Sequence, residues 1–129
     1  MNDLIKEFLD NKKIAVAGSF RNESKVAYSV LLELKRLGYE VFPVSPNKSE
    51  VEGATCYPSV SELPEGIKAI NIVTPPSVSI TIAEAGLKKG IEFMWFQPGA
   101  EDDATLEFCK KNGIKFLAST CILTALADR

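Results

Sequence analysis

The sequence predicts an α/β fold: a single doubly wound, Rossmann-like parallel sheet with helices on both of its faces. Short apolar runs alternate with longer segments of helical periodicity, and this alternation is typical of βαβ units. At 129 residues the chain fits one domain, over residues 1–129, with its own core. Right-handed βαβ crossovers place the helices on both faces, and we expect five to six strands in the doubly wound order 3-2-1-4-5(-6).

The first half of the chain supplies three of the predicted strands. They are an apolar run at 13–18 that ends in glycine, a second run at 40–44 and a very short one at 53–58. Asn2 and Asp3 cap a first short helix, and apolar residues at helical spacing mark a second helix over 26–37, which Gly38 ends. One turn of helix is expected at 61–63.

The second half supplies the remaining strands, at 69–73, 92–96 and 115–118. The segment 77–89 begins with the alternation of a strand, but its length and its final lysines favour a helix. Glu101, Asp102 and Asp103 open a further helix, because acidic side chains stabilise the positive end of a helix dipole. Pro43 opposes the predicted order, since an internal proline donates no ladder hydrogen bond. We expect it beyond the end of the short third strand, where no partner needs its N–H.

The composition excludes several classes of function. The sequence contains no histidine, which removes Ser-His and Cys-His nucleophiles and histidine-ligated zinc. Its three cysteines, Cys56, Cys109 and Cys121, include no C-x-x-C pair, and we interpret them as free, buried or partly buried thiols. We therefore expect neither a catalytic residue nor a metal site.

Charge and hydropathy predict a cytoplasmic protein that binds a small molecule. The net charge of −2 and the lack of a basic block argue against nucleic acid as a partner. No uncharged stretch reaches the roughly 18 residues of a membrane span, and the acidic start of the chain is unlike a signal peptide.

The carboxyl ends of the predicted strands form the expected binding edge. In an open α/β sheet, ligands bind where the strand order reverses, which is here between the first and fourth strands. Four loops reach this edge, and their candidate binding residues are Gly18, Ser19, Phe20, Arg21, Lys25, Ser45, Pro46, Asn47, Lys48, Thr74, Pro75, Pro76, Gln97 and Gly99. Small, polar loops of this kind are also typical of ordinary βα turns, so composition leaves both interpretations open.

The charges on this edge favour an anionic, nucleotide-like ligand. Gly18 lets backbone N–H groups at the start of a helix approach a phosphate closely, and the helix dipole favours the anion there. Arg21, Lys25 and Lys48 add positive charge to the same edge.

The dinucleotide fingerprint is absent, which narrows the ligand class. G-x-G-x-x-G would place glycine where Phe20 and Glu23 stand. An NAD site also expects an acidic residue at the end of the second strand, where this chain has Val44 and Ser45, with Lys48 just beyond. A lysine without a carboxylate suits a ribose that bears an extra phosphate, as in NADP and coenzyme A. Both ligands remain open on these grounds.

Three further motifs carry a resemblance to a known family. They are VSPNK at 44–48, CYPS at 56–59 and WFQPG, of the form W-x-Q-x-G, at 95–99. With their surroundings, over roughly residues 10–125, they resemble the small CoA-binding proteins related to the N-terminal domain of the succinyl-CoA synthetase α subunit. That family is similar in fold to the predicted sheet and tolerates a proline at position 43.

The resemblance implies a role for each of the four loops. Gly18 and Ser19, with the loop through Lys25, would hold the pyrophosphate of coenzyme A. Pro46, Asn47 and Lys48 would lie near the adenosine, its ribose and the 3′-phosphate. Thr74 and Pro75 would border the adenine or the start of the pantetheine arm. Gln97 and Gly99 would lie along the further course of that arm.

Two features depart from the family. Glu23 and Ser24 stand where many relatives have proline and serine, and Glu23 would lie unfavourably near phosphate oxygens. The larger synthetases carry a phosphohistidine in a separate domain, and this sequence has neither that domain nor any histidine. The resemblance therefore implies ligand binding and not ligase chemistry.

Three functions follow as hypotheses. The first is non-catalytic binding of coenzyme A or acyl-CoA by a carrier, a sensor or a subunit that works with an acyl-CoA enzyme. The second is an NADP-binding, oxidoreductase-like domain, which the missing glycines and the lack of room for a substrate domain oppose. The third is an interaction module with a vestigial pocket, in which the apolar tail at 122–127 packs back on the sheet or forms a homodimer seam. Cys121, beside this tail, is interpreted as a structural thiol rather than one that reacts with the CoA thiol.

Overall fold

The computed structural model describes residues 3–21 and 25–128 of the chain. The strands are β1 (Lys13–Ala17), β2 (Glu40–Val44), β3 (Glu50–Val51), β4 (Ala54–Thr55), β5 (Ala69–Ile72), β6 (Phe93–Phe96) and β7 (Lys115–Leu117). Five of these strands form a parallel sheet in the order β2-β1-β5-β6-β7. The predicted doubly wound sheet is confirmed, with the reversal of strand order between β1 and β5.

The helices are α1 (Asp3–Leu9), α2 (Lys25–Arg36), a 3-10 turn (Val60–Glu62), α3 (Pro76–Lys89), α4 (Asp103–Lys111) and α5 (Ile122–Ala127). The prediction of a helix for 77–89 is confirmed, and Gly90 ends α3 with a left-handed φ of 91°. Among the described residues, no helix has the length and apolar character that crossing a membrane requires. The predicted cap at Asn2, and the departures at Glu23 and Ser24, lie outside the described residues.

The predicted third strand is reduced to a single bridge. Within 53–58, Ala54 and Thr55 pair with β3 in an antiparallel hairpin instead of joining the main sheet. The segment pairs with the outer edge of β2 through an isolated parallel bridge between Tyr57 and Val44. The sharp turn at Glu52 and Gly53, both with positive φ, folds the chain back too early for a longer strand.

Pro43 fits the sheet because it faces the outer edge of β2. The carbonyl of the next residue, Val44, accepts from the Gly18 N–H at 3.1 Å on the β1 side. Neighbouring residues of a strand present their backbone groups to opposite sides, so Pro43 faces away from β1. Its carbonyl accepts from the Tyr57 N–H at 2.9 Å. The ladder between β1 and β2 therefore needs no N–H from Pro43.

Each face of the sheet packs against its own set of helices. On one face, α1, α2 and α5 cover a core that includes Phe8, Leu31 and Trp95. On the other face, the 3-10 turn, α3 and α4 cover a core that includes Ile72 and Met94. This arrangement confirms the prediction of helices on both faces.

The apolar carboxyl-terminal tail packs back on the sheet. Ile122 is fully buried and Leu126 nearly so, within the core that α1 and α2 share. The two side chains are therefore not available for the homodimer seam that the apolar tail suggested.

The end of β1 lies unusually close to α2. A Cβ placed on Gly18 would lie 2.8 Å from the Ala27 Cβ and 3.4 Å from the Val73 carbonyl oxygen. Glycine is therefore required there because of space rather than because of backbone angle. On the other face, a Cβ on Gly86 would meet only the mobile end of a side chain at such short range, the Met94 Cε at 2.7 Å.

The contrast between these two glycines gives a stability prediction. We expect Gly18→Ala to lower the free energy of unfolding by about 1–3 kcal/mol, because α2 must move away from β1. We expect Gly86→Ala to cost less, since the Met94 thioether can rotate and alanine favours a helix. Thermal unfolding monitored by circular dichroism measures both. Equal losses of Tm, or a larger loss for Gly86→Ala, would contradict this account of Gly18.

Candidate functional site

The carboxyl ends of β1, β2, β5 and β6 open into three adjoining cavities. The central one, of about 380 Å³, lies between the loop after β1, the turn after β2 and the start of α3. Its lining residues are Gly18, Ser19, Pro46, Asn47, Val73, Thr74, Pro75 and Val78. The structure thus brings residues from three of the four predicted loops into one crevice at the reversal of strand order.

An apolar cavity of about 230 Å³ extends from the crevice along α3. Its walls come from the end of β2, the segment before the 3-10 turn, and one side of α3, and include Val44, Pro46, Pro58, Val60, Val78 and Ile82. Apolar walls with a few polar groups beside them are typical of small-molecule sites.

A third cavity, of about 240 Å³, continues from the crevice in the opposite direction. It follows the loops after β5 and β6, from Val73 and Pro75 to Pro98, Gly99 and Ala100. The three cavities form one elongated groove along the carboxyl edge of the sheet, and Thr74 borders all three.

Ser45 ties two of the loops together. Its side chain is buried, with 1% of the residue exposed. The hydroxyl donates to the Ser19 carbonyl at 3.1 Å and accepts from the Asn47 N–H at 3.3 Å. Ser45 therefore holds the edge of the crevice in shape from beneath instead of presenting its side chain to a ligand.

Phe20 anchors the loop after β1 in the core. The residue has a left-handed φ of 54° and is fully buried. Its ring lies edge-on to the Tyr28 ring of α2, with 5.5 Å between the ring centroids. The strained backbone turns the ring inward, so Phe20 fixes the loop and leaves Gly18 and Ser19 to line the crevice.

The three predicted cations lie at the exposed rim. Arg21, Lys25 and Lys48 are all exposed. Among the residues that the structure describes, none of the three forms an ion pair with a carboxylate. The first turn of α2, which begins at Lys25, contains no acidic residue either. This part of the rim is therefore suited to an anion.

Gln97 borders the third cavity and joins β6 to α5. Its Oε1 accepts from the Ile122 N–H at 2.8 Å and from the Asn71 Nδ2 at 3.3 Å. Its Nε2 donates to the Cys121 Sγ at 3.1 Å. Because only 3% of the residue is exposed and its amide group is bonded inside the protein, the side chain of Gln97 supports the loop after β6. Gly99 lies in that loop with a φ of 93°.

Several residues of the groove were missed by sequence reasoning. Four residues that were not predicted to bind a ligand line the apolar cavity: Pro58, Val60, Val78 and Ile82. The sequence analysis placed Pro58 in the short third strand and the CYPS motif, placed Val78 and Ile82 in a helix, and assigned Val60 to no element. Val78 remains 44% exposed, which is a large fraction for an apolar side chain. The mixed pattern of the segment 77–89 was the available signal, because an apolar residue on the polar side of a helix often faces a cavity.

Asn71 is a further polar residue that the sequence analysis did not single out. It is fully buried in β5, and its Nδ2 donates to the Trp95 carbonyl and to Gln97. Within residues 3–21 and 25–128, its Oδ1 has no hydrogen-bond partner. The signal in the sequence was an asparagine inside an otherwise apolar strand.

Comparison with known proteins identifies a family and several relatives that this chain resembles. A family model described as "CoA binding domain" matches residues 12–127. The alpha subunit of the ADP-forming acetate–CoA ligase II of Pyrococcus furiosus is 29% identical over 130 residues, a match that covers 92% of this chain and 28% of that subunit. The chain spans only 12–28% of the lengths of the ADP-forming acetate–CoA ligases that it matches.

Two solved structures match over almost their whole length. A conserved hypothetical protein from Pyrococcus furiosus is 38% identical, with a TM-score of 0.83, and the match covers 88% of this chain and 98% of that one. A hypothetical protein from Pyrococcus horikoshii OT3 has a TM-score of 0.91 at 28% identity, with coverage of 98% and 89%. The family match confirms the resemblance that the three motifs indicated.

Removal of the Ser45 hydroxyl should loosen the crevice. We expect Ser45→Ala to lower the free energy of unfolding by about 1–2 kcal/mol, because the Ser19 carbonyl and the Asn47 N–H lose a buried partner. A fall of several degrees in Tm would follow. Ser49→Ala is the matched control, since Ser49 is exposed in the same segment. An equal effect of the two substitutions would show that the Ser45 bonds contribute little.

Thiol labelling distinguishes the environments of the three cysteines. Burial raises the pKa of Cys109 to about 11, and burial also raises the pKa of Cys56 despite the nearby Lys48 charge. Both thiols are therefore protonated at about pH 8, whereas Cys121 is partly accessible. We expect an alkylating reagent to modify Cys121 first, as located by peptide mass spectrometry. Labelling of Cys109 before Cys121 in the folded protein would contradict the burial described here.

Proposed function

Because the chain belongs to the CoA-binding domain family, we propose that it binds coenzyme A in the groove at the carboxyl ends of β1, β2, β5 and β6. One observation carries the proposal: an apolar cavity adjoins a crevice lined by Gly18, and exposed cations stand in or just after the loops that form this crevice. Coenzyme A presents the same order of chemistry, with a purine base, a phosphorylated ribose and a pyrophosphate.

The apolar cavity supports a site for the adenine ring. Pro46 and Pro58 present flat, rigid surfaces, and Val60, Val78 and Ile82 add aliphatic ones. A purine base gains most from such walls, because its faces are apolar while its polar groups lie at the ring edge. We place the base between the turn after β2 and α3.

The loop after β1 supports a site for the pyrophosphate. Gly18 and Ser19 line the crevice at the end of β1, in the loop that leads to α2, and the N–H groups and dipole at the start of a helix attract anions. Arg21 and Lys25 lie on the same loop and helix end. Phosphate oxygens bound here would find both backbone donors and full positive charges.

Lys48 is proposed to bind the 3′-phosphate of the ribose. It follows Asn47, which lines the crevice, and its side chain is exposed. No acidic residue stands between Val44 and Lys48 to repel that phosphate. The pantetheine arm would then follow the third cavity, past Pro75 toward Gly99.

We further propose a non-catalytic role, in which this domain holds coenzyme A or acyl-CoA for a partner acyl-CoA enzyme. The matched Pyrococcus furiosus protein is named as a ligase subunit, and this chain corresponds to 28% of it. Within these 129 residues there is no histidine to act as a nucleophile or proton carrier. We therefore propose that this chain binds the coenzyme and presents it to the partner enzyme.

Thermal unfolding with candidate ligands tests the proposal. We expect coenzyme A to raise Tm by several degrees, since a ligand at about 100 times its Kd adds about 2.7 kcal/mol to stability. NADP also carries an extra ribose phosphate and is the main competitor, and NAD is the control without one. Stabilisation by NADP without stabilisation by coenzyme A would overturn the proposal.

A charge reversal locates the 3′-phosphate. We expect Lys48→Glu to weaken coenzyme A binding by about tenfold or more and dephospho-CoA binding much less, because only the former carries that phosphate. Lys13→Glu is the matched control, since Lys13 is an exposed lysine at the opposite end of β1. Isothermal titration calorimetry measures each affinity. Equal losses for both ligands would show that Lys48 does not face the 3′-phosphate.

A further inference from the structure

Two hydroxyl groups meet at the point where the three cavities join. The Thr74 Oγ1 and the Ser79 Oγ lie 2.8 Å apart at the start of α3. Ser79 is fully buried, whereas Thr74 is partly exposed and borders every part of the groove. The direction of the hydrogen bond between them decides what Thr74 offers to a ligand.

The carbonyl groups around Ser79 fix that direction. Its Oγ lies 3.3 Å from the Thr74 carbonyl oxygen and 3.2 Å from the Pro75 carbonyl oxygen, and both of these atoms can only accept. The Pro75 carbonyl already accepts from the N–H groups of Val78 and Ser79, each at 2.9 Å. Among the described residues, no backbone N–H donates to the Thr74 carbonyl. The Ser79 hydroxyl is therefore the donor to these carbonyls, and above all to the Thr74 carbonyl, because buried polar groups are normally hydrogen-bonded.

With its own hydrogen directed to a carbonyl, Ser79 serves Thr74 as an acceptor. The Thr74 hydroxyl then donates to the Ser79 Oγ, and this arrangement pairs both hydroxyl hydrogens inside the protein. The reverse direction would leave the Thr74 carbonyl without a partner. Thr74 consequently presents only oxygen lone pairs to the groove.

We infer that the Thr74–Ser79 pair makes the groove selective for a purine that carries an amino group over one that carries a carbonyl oxygen at the same position. This inference rests on the proposed function, which places the base of coenzyme A in the apolar cavity beside Thr74. The adenine amino group donates to the Thr74 oxygen, whereas a carbonyl oxygen there would meet lone pairs. Thr74 determines the specificity, and Ser79 is the positioning residue that fixes the direction of its hydroxyl.

The hydrogen bond to Thr74 determines how strongly the groove prefers coenzyme A over the analogue with a carbonyl oxygen. A site that pairs a ligand donor rejects an analogue without that donor more strongly than a purely apolar pocket rejects a change of shape. We expect coenzyme A to bind about tenfold or more tightly than its analogue with hypoxanthine in place of adenine.

The test compares these two ligands by isothermal titration calorimetry with four proteins: the unmodified chain, Ser79→Ala, Thr74→Val and Thr74→Ser. Ser79→Ala frees the Thr74 hydroxyl to rotate and donate, so the analogue should bind more tightly. The ratio of the affinity for coenzyme A to the affinity for the analogue should then fall toward one. Thr74→Val should lose the ratio through weaker binding of coenzyme A. Thr74→Ser keeps the hydroxyl and should keep most of the ratio.

The outcomes separate this inference from the proposed function. Binding of coenzyme A with no preference over the analogue overturns the inference alone, and so does an equal loss of affinity for both ligands in Ser79→Ala. Absence of coenzyme A binding by the unmodified chain overturns both. Should Ser79→Ala fail to fold, the comparison of Thr74→Val with Thr74→Ser decides, and equal ratios in those two variants contradict the inference.

Discussion

The groove depends on the close contact between the end of β1 and α2. Gly18 is the residue at which the chain leaves the sheet, and the Ala27 methyl group fills the place of a Cβ there. The Gly18 N–H still bonds to the Val44 carbonyl, so β1 and β2 end together. Because Gly18 also lines two of the three cavities, the distance between β1 and α2 sets the shape of the groove at that point.

Buried polar side chains hold the surrounding loops, and each of them fixes the loop after a different strand. Ser45 joins the turn after β2 to the loop after β1. Ser79 binds the residues between β5 and α3, and Gln97 joins the end of β6 to α5. Backbone groups at the edge of the groove are thereby paired from the protein side. The groove can keep its shape without a ligand, which lowers the entropy cost of binding one.

The sequence was sufficient for the sheet and for the positions of the loops, but not for the directions of their side chains. Strands such as β1 and β5 are buried on both faces, so their continuous apolar character identifies them. In a loop, Phe20, Ser45 and Gln97 look like residues that meet a ligand, yet all three side chains turn into the protein. Residue type alone cannot distinguish a polar group that binds a ligand from one that supports the backbone. The wall formed by α3 was missed for a related reason, since residue type does not show that Ile82, which packs on the core, also lines a cavity together with the exposed Val78.

The outward position of Pro43 has a consequence for how molecules of this protein meet at high concentration. An edge strand normally has free backbone N–H and carbonyl groups, with which an edge strand of a second molecule can pair. Near Pro43 these backbone groups are not free. The proline nitrogen has no hydrogen, and the backbone of Tyr57 already bonds to the Pro43 carbonyl and to the Ser45 N–H. The side of β2 that Pro43 faces is thus a poor template for β-pairing with a second molecule.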